Sequence, residues 1–189
     1  MLREHGRVSD EEVARRVQAG EIESFAILVE RYENKIKRYA RKFLSGFEDI
    51  EDLVQGVFLK AYVNIRSFDT SKKFSSWLYR IAHNEFINAI KKKGKEPVSF
   101  FDFDIFFPHP VSADNADNDL NREEIRRMIG DCLLKLKPKY REPIVLYFLE
   151  ELSYKEIADV LHIPVSTVGV RLQRGKQIMR SICQKLTYY

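Results

Sequence analysis

Four carboxylates stand close together in the first third of the chain, where acidic side chains could hold a metal ion for hydrolysis. They are Glu48, Asp49, Glu51 and Asp52. The pattern places them at a helix start, where they cannot all converge on one ion, and neither a histidine nor a further carboxylate motif completes a site. The sequence also shows no glycine-rich phosphate loop and no nucleophile–base pair. We therefore expect no enzyme activity, no metal site and no cofactor.

Basic side chains form two groups on either side of an acidic segment, although the net charge of the 189-residue chain is only +4. Residues 72–95 carry seven Lys and Arg against one acid, and residues 166–189 carry five and no acid. Residues 97–121 carry five aspartates and no Lys, Arg or Glu. Either basic group alone could equally well be a solvated helix face or a binding site for a polyanion. Together they favour a polyanionic partner that is contacted at two points.

Apolar residues recur at helical spacing along most of the chain, which predicts an all-α fold. The capping-box pair Ser9 and Glu12 opens the first helix, and Gly46 ends the second. Two more helices follow, the last over about 75–93, and the helical period resumes at Ile125. These elements must position the charged groups.

The segment between the two helical parts has no period. It contains three prolines and a polar stretch, which predicts a flexible acidic linker over 96–121 between a domain at 1–95 and a domain at 122–189. Five phenylalanines within Phe100–Phe107 are unusual for a free tether. We expect part of the linker to dock, either on this protein or on a partner.

The C-terminal part has the pattern of a helix-turn-helix. Pro143 should lie in the first turn of the preceding helix, because proline is poorly tolerated further in. A capping box at Ser153 and Glu156 opens a short helix, His162 begins a turn, and Ser166 is a suitable N-cap for the next helix. A plain helical hairpin is the alternative.

The exposed face of that last helix carries side chains suited to DNA. Arg and Gln can read base edges through paired hydrogen bonds, while Ser, Thr and Lys more often contact phosphates. The predicted contacts are Ser166, Thr167, Val170, Arg171, Gln173, Arg174 and Lys176.

Two further features bear on the class of protein. No apolar run approaches the roughly 20 residues of a membrane span, so we expect no membrane insertion. Cys132 and Cys183 are the only cysteines, 51 residues apart and without zinc spacing. These observations predict a soluble, cytoplasmic protein with reduced thiols.

Two blocks of the sequence resemble the extracytoplasmic-function (ECF) sigma factors of bacterial RNA polymerase, members of the sigma-70 family. Residues 49–69 (DIEDLVQGVFLKAYVNIRSFD) with 74–93 (FSSWLYRIAHNEFINAIKKK) are similar to region 2 of that family. Residues 136–176 (LKPKYREPIVLYFLEELSYKEIADVLHIPVSTVGVRLQRGK) are similar to region 4. The paired blocks, in this order and separation, are a specific signal.

The resemblance implies a role for each block. The helix-turn-helix would read the upstream (−35) promoter element, with Gln173 and Arg174 as the leading base contacts. Val170 stands where many members carry a polar or basic side chain. The first block would meet and open the −10 element, and the acidic helix start would bind core polymerase. The predicted −10 contacts are Lys72, Lys73, Phe74, Arg80, Asn84, Asn88, Lys91 and Lys92; the predicted polymerase contacts are Asp49, Glu51, Asp52 and Gln55.

Regulation by a binding partner is also implied. Free in solution, the two domains could pack together and bury their DNA faces until polymerase separates them. An anti-sigma factor, as the family uses, would hold them closed. The alternative to a sigma factor is a free-standing helix-turn-helix regulator, which would need neither the second basic segment nor the acidic helix start.

Overall fold

The computed structural model describes residues 8–44, 50–93 and 128–187, and helices form the regular structure of these ranges. The all-α prediction is confirmed. The helices are α1 (Asp10–Gln18), α2 (Phe25–Phe43), α3 (Ile50–Asn64), α4 (Phe74–Lys93), α5 (128–134), α6 (Pro138–Phe148), α7 (Tyr154–Leu161) and α8 (Val165–Thr187). Short 3-10 turns stand at Ile22–Ser24 and Ile65–Ser67. The predicted linker, including Phe100–Phe107, lies outside the described residues.

Helices α1 to α4 pack around one core. The predicted cap of α1 is present, because the Ser9 side chain accepts a hydrogen bond from the Glu12 backbone amide at 3.2 Å. Helix α1 also fixes the start of α4, since a carboxylate oxygen of Glu11 accepts from the Phe74 amide at 3.0 Å. The core is filled by apolar side chains from α2, α3 and α4, among them Leu28, Ile36, Val57, Leu78 and Phe86. This burial holds α3 and α4 against each other and leaves their polar faces outside.

Helices α6 to α8 carry the predicted helix-turn-helix. The capping box of α7 is confirmed: Ser153 Oγ accepts from the Glu156 amide at 3.3 Å, and Glu156 accepts from the Ser153 amide at 2.7 Å. His162 ends α7 in the left-handed conformation, with φ 52°. Helix α8 begins at Val165, one residue before the predicted N-cap Ser166, because the Pro164 carbonyl already accepts the first helical amides.

The prediction for Pro143 is wrong. Helix α6 begins at Pro138, where a fixed φ suits the first helical position, and Pro143 lies inside the helix. Pro143 is buried beside Ile144 and Val145. Packing of this apolar run therefore keeps the helix together across the proline.

The structure pairs the two cysteines that the sequence predicts to be separate, reduced thiols. Cys132 of α5 and Cys183 of α8 form a disulfide, with 5.7 Å between their Cα atoms. Residues that lie 51 positions apart in the sequence therefore meet in the folded chain. Within the described ranges, no helix is long and apolar enough to cross a membrane.

Candidate nucleic-acid interfaces

The first surface is the outer face of α8. Val168 and Leu172 are buried and fix the helix against α6 and α7. Helix α8 approaches α6 closely at Gly175, where an added Cβ would lie 2.7 Å from Cδ1 of Ile144. The seven predicted −35 contacts therefore share one side of a firmly held helix: Ser166, Val170, Gln173, Arg174 and Lys176 are exposed, and Thr167 and Arg171 are half-buried.

This face suits a major groove in shape and charge. Side chains from about three turns point outward, with Arg and Gln at their centre and no acid among them. Lys176 is partly positioned already, since its Nζ lies 6.0 Å from the centre of the Phe148 ring. A capped α7, a tight turn at His162 and a basic outer face on α8 together favour the helix-turn-helix over the plain helical hairpin.

The second surface runs along α4. Most of the predicted −10 contacts form one exposed stripe at spacings of three or four residues: Arg80, Asn84, Asn88, Lys91 and Lys92. Lys72 and Lys73 are exposed just before the helix begins. The stripe combines cations for phosphates with amides for polar contact.

Phe74 is the exception among these residues. It is 0% exposed, and its ring packs against the rings of Tyr32, Phe68 and Trp77 at centroid distances of 5.5 to 5.6 Å. A ring enclosed in this way cannot stack on a base. The structure therefore corrects the expectation for Phe74, which is a core residue; the half-buried Trp77 is the aromatic nearer the surface.

The third surface lies on α3 and is acidic at its start. Glu51, Asp52 and Gln55 are exposed there, and Lys37 Nζ lies 3.6 Å from Glu51 Oε1. Asp49 and Glu48 lie outside the described residues. In the described part of the chain, no cluster of three potential metal ligands occurs.

Two apolar side chains extend this acidic surface and were missed from the sequence. Leu59 and Val63 are 65% and 70% exposed, and with Asp52 and Gln55 they follow one line along α3. A cleft of about 300 Å³ beside this line is floored by Val54 and Phe58. The sequence does contain a signal for them, because both residues fall outside the buried stripe of an otherwise regular amphipathic helix.

The N-terminal and C-terminal helices also contact each other, through carboxylates that the sequence did not single out. Glu142 of α6 is buried, accepts a hydrogen bond from the Tyr39 hydroxyl of α2, and lies 2.7 Å from Nδ1 of His83 in α4. Burial and the charge of Glu142 raise the pKa of Tyr39 well above its usual range, so the phenol stays neutral. Burial alone would lower the pKa of His83, but the charge of Glu142 and the hydrogen bond to it raise it overall.

A second buried carboxylate repeats the arrangement. The Glu150 side chain is 1% exposed; it accepts from Arg38 Nη2 at 2.8 Å and from the Tyr79 hydroxyl. Lys73 Nζ lies 3.3 Å from Glu156 Oε1 at the start of α7. The contact between domains is therefore made by α2 and α4 on one side and by α6, α7 and the loop that joins them on the other.

The two domains pack together as expected, but this packing does not bury their predicted DNA faces. The outer face of α8 and the stripe on α4 both stay exposed while the domains touch. The closed arrangement fixes the separation between the two faces and does not bury them.

Comparisons with known proteins match both halves of this arrangement. Residues 28–96 match the family model Sigma-70 region 2, and residues 126–179 match the model Sigma-70, region 4. The chain is 38% identical over 174 residues to the ECF RNA polymerase sigma factor SigW of Bacillus subtilis, covering 88% of this chain and 92% of that protein. The chain belongs to the ECF sigma factors.

A further curated relative agrees with this assignment, and two solved structures share the fold. The ECF RNA polymerase sigma-E factor of Escherichia coli is 32% identical over 188 residues, covering 95% of this chain and 97% of that protein. Among solved structures, CnrH in complex with the cytosolic domain of CnrY superposes with a TM-score of 0.68 at 25% identity, covering 94% and 99% of the two chains. The sigma factor RpoE in complex with the anti-sigma factor NepR, from Bartonella quintana, shares the fold at 24% identity and a TM-score of 0.67, covering 85% and 96%.

Proposed function

We propose that this ECF sigma factor binds bacterial core RNA polymerase in the cytoplasm and directs promoter recognition, DNA opening and transcription initiation. It has no catalytic activity of its own in this proposal. The observation that carries it is the presence, on one chain, of two separate DNA-compatible faces and a third face that is acidic and apolar. A protein that only bound a duplex would not need the third face.

Each surface has one role in this proposal. The α8 face reads the −35 element, with Gln173 and Arg174 on base edges and the remaining predicted residues on the backbone. The α4 stripe neutralises phosphates around the −10 element while the strands separate. Glu51, Asp52 and Gln55 bind polymerase, and we assign Leu59 and Val63 to the same interface, because large exposed apolar side chains beside charges are typical of docking sites.

The contact between the domains is the regulated element of this proposal. Free protein is held closed by the pairs around Glu142 and Glu150, and polymerase binding separates α4 from α6 and α7. An anti-sigma factor is the expected inhibitor. CnrH and RpoE, which share this fold, were each solved with a bound partner, CnrY and the anti-sigma factor NepR respectively.

Run-off transcription with bacterial core polymerase on a pooled promoter library tests the proposal. We expect transcripts that depend on this protein and share two upstream elements at a fixed spacing. Arg174→Ala should lower their yield about 5- to 150-fold, since a paired contact to a base contributes about 1–3 kcal/mol. Arg180→Ala, at an exposed arginine six residues further along α8, is the matched control and should leave transcription unchanged.

The free-standing regulator predicts a different result. Such a protein would bind a duplex tightly without polymerase and yield no transcript with it. That outcome would replace the sigma factor proposal.

A further inference from the structure

The disulfide between Cys132 and Cys183 has no part in the roles assigned above. It joins α5 to α8, and its Cα–Cα distance of 5.7 Å lies within the usual range of about 4.4–6.8 Å. The backbone therefore holds the two cysteines within disulfide distance of each other.

The two sulfur positions differ in their access to solvent. Cys132 is 0% exposed. Cys183 is half-buried, and Arg180, Ser181 and Gln184 beside it on α8 are exposed. A reagent in solution therefore reaches Cys183 first. The buried Cys132 can react only with a group that already lies inside the domain, such as the Cys183 sulfur.

The bond lies at the weakly packed end of the helix that carries the −35 face. The first half of α8 is held by buried Val168 and Leu172 and by the close approach at Gly175. In the second half, within the side chains that the structure describes, Met179 and Ile182 are only partly buried. The disulfide is the covalent tie that holds this second half to α5.

We propose that Cys132 and Cys183 are a reversible thiol–disulfide modification site whose substrate is a low-molecular-weight disulfide. Closing the bond fastens the distal half of the recognition helix to α5; opening it releases that half while the buried first half stays in place. Thiols are kept reduced in the bacterial cytoplasm, so the closed bond is the state of oxidative stress. The assignment of the closed bond to oxidative stress rests on the proposed function in the cytoplasm.

The chemistry is two successive exchanges. The Cys183 thiolate attacks one sulfur of the small disulfide, breaks its S–S bond, forms a mixed disulfide and expels one small thiolate. The Cys132 thiolate then attacks the Cys183 sulfur, forms the internal bond and expels the second small thiolate. The small disulfide is reduced to two thiols, which take up the two cysteine protons, and the cysteine pair is oxidised.

The test uses the full-length chain, reduced with dithiothreitol, desalted and then treated with oxidised glutathione. Intact mass should show the internal bond without bound glutathione. Hydrogen exchange of the amides at 177–184 should be about tenfold slower in the oxidised than in the reduced protein, while exchange at 165–172 should be unchanged.

Two variants check the order of the steps. Cys132→Ala should keep one glutathione on Cys183, because no second thiol displaces it, and Cys183→Ala should take up none. If Cys132→Ala does not fold by circular dichroism, wild-type protein quenched with acid at short times must carry its transient glutathione on Cys183.

Three results would overturn the proposal: wild type that retains glutathione, wild type and Cys132→Ala that both fail to react, or a bond that leaves exchange at 177–184 unchanged. Run-off transcription by the double variant Cys132→Ala/Cys183→Ala distinguishes failure of the redox proposal from failure of the sigma factor proposal. If neither wild type nor this variant supports transcription, the sigma factor proposal fails while the exchange results still decide the redox site.

Discussion

Nδ1 of His83 in α4 lies 2.7 Å from Oε1 of Glu142 in α6, and this contact joins the two domains. The same oxygen accepts the hydroxyl of Tyr39. Beside it, Arg141 is buried, and its Nε has no hydrogen-bond partner in the described part of the chain. One carboxylate oxygen therefore partners two buried polar side chains, Tyr39 and His83, that would be costly to bury without it.

Glu142→Gln should weaken the contact between the domains by about 2 kcal/mol. The amide keeps the shape and one acceptor but removes the charge that pairs with His83. Small-angle X-ray scattering should then show a larger radius of gyration for the free protein. Glu151→Gln, a nearby exposed position, is the matched control. An unchanged scattering curve for Glu142→Gln would contradict the role of this carboxylate.

The closed arrangement should depend on pH through His83. Its pKa is raised in the folded protein, so the stabilisation it gives is fully present below the ordinary histidine pKa of about 6.5 and is lost as the pH rises through the raised value. Tyr39 stays neutral across this range because its pKa is raised as well. Scattering at about pH 6 and pH 9 should show the compact form at the lower pH.

His83→Gln identifies the titrating group. This variant should give the same radius of gyration at both pH values. A pH dependence that persists in the variant would assign the effect to another residue.

Polymerase binding should depend on the apolar end of the α3 surface. Leu59→Ser should weaken binding to core polymerase by about 1–2 kcal/mol, roughly 5- to 30-fold, because an anchoring side chain is lost. Thermal stability should not change, since Leu59 is 65% exposed. Ile22→Ser, at a 55% exposed position outside the three surfaces, is the control in a titration of fluorescently labelled polymerase. Equal affinities for the two variants would exclude Leu59 from the interface.

Two helical glycines should respond oppositely to alanine. An added Cβ at Gly56 meets nothing within 4 Å, so Gly56→Ala should stabilise its domain by about 0.5–1 kcal/mol through helix propensity. At Gly175 the Cβ would lie 3.3 Å from the Tyr140 carbonyl oxygen as well as close to Ile144, so Gly175→Ala should destabilise by about 1–2 kcal/mol. Urea unfolding measures both, and shifts of the same sign would refute the packing argument.

Local signals in the sequence predicted the elements well. The N-cap at Ser9, the capping box at Ser153 and the turn at His162 are confirmed, because caps and turns depend on residues within a few positions of one another. Local rules failed where packing outweighed them. Pro143 sits inside α6 because its apolar neighbours are buried, and Phe74 is enclosed by the rings of Tyr32, Phe68 and Trp77.

The sequence alone determined the helical class, the two-part organisation, the family, and the residues that face outward on α8 and α4, since periodicity decides which side of a helix is polar. Only the tertiary structure decided what distant segments do together. It placed Glu142 beside Tyr39 and His83, and it paired Cys132 with Cys183. These contacts join residues 51 to 103 positions apart, and no local pattern encodes them, because they arise only when separate helices bury their apolar faces against each other.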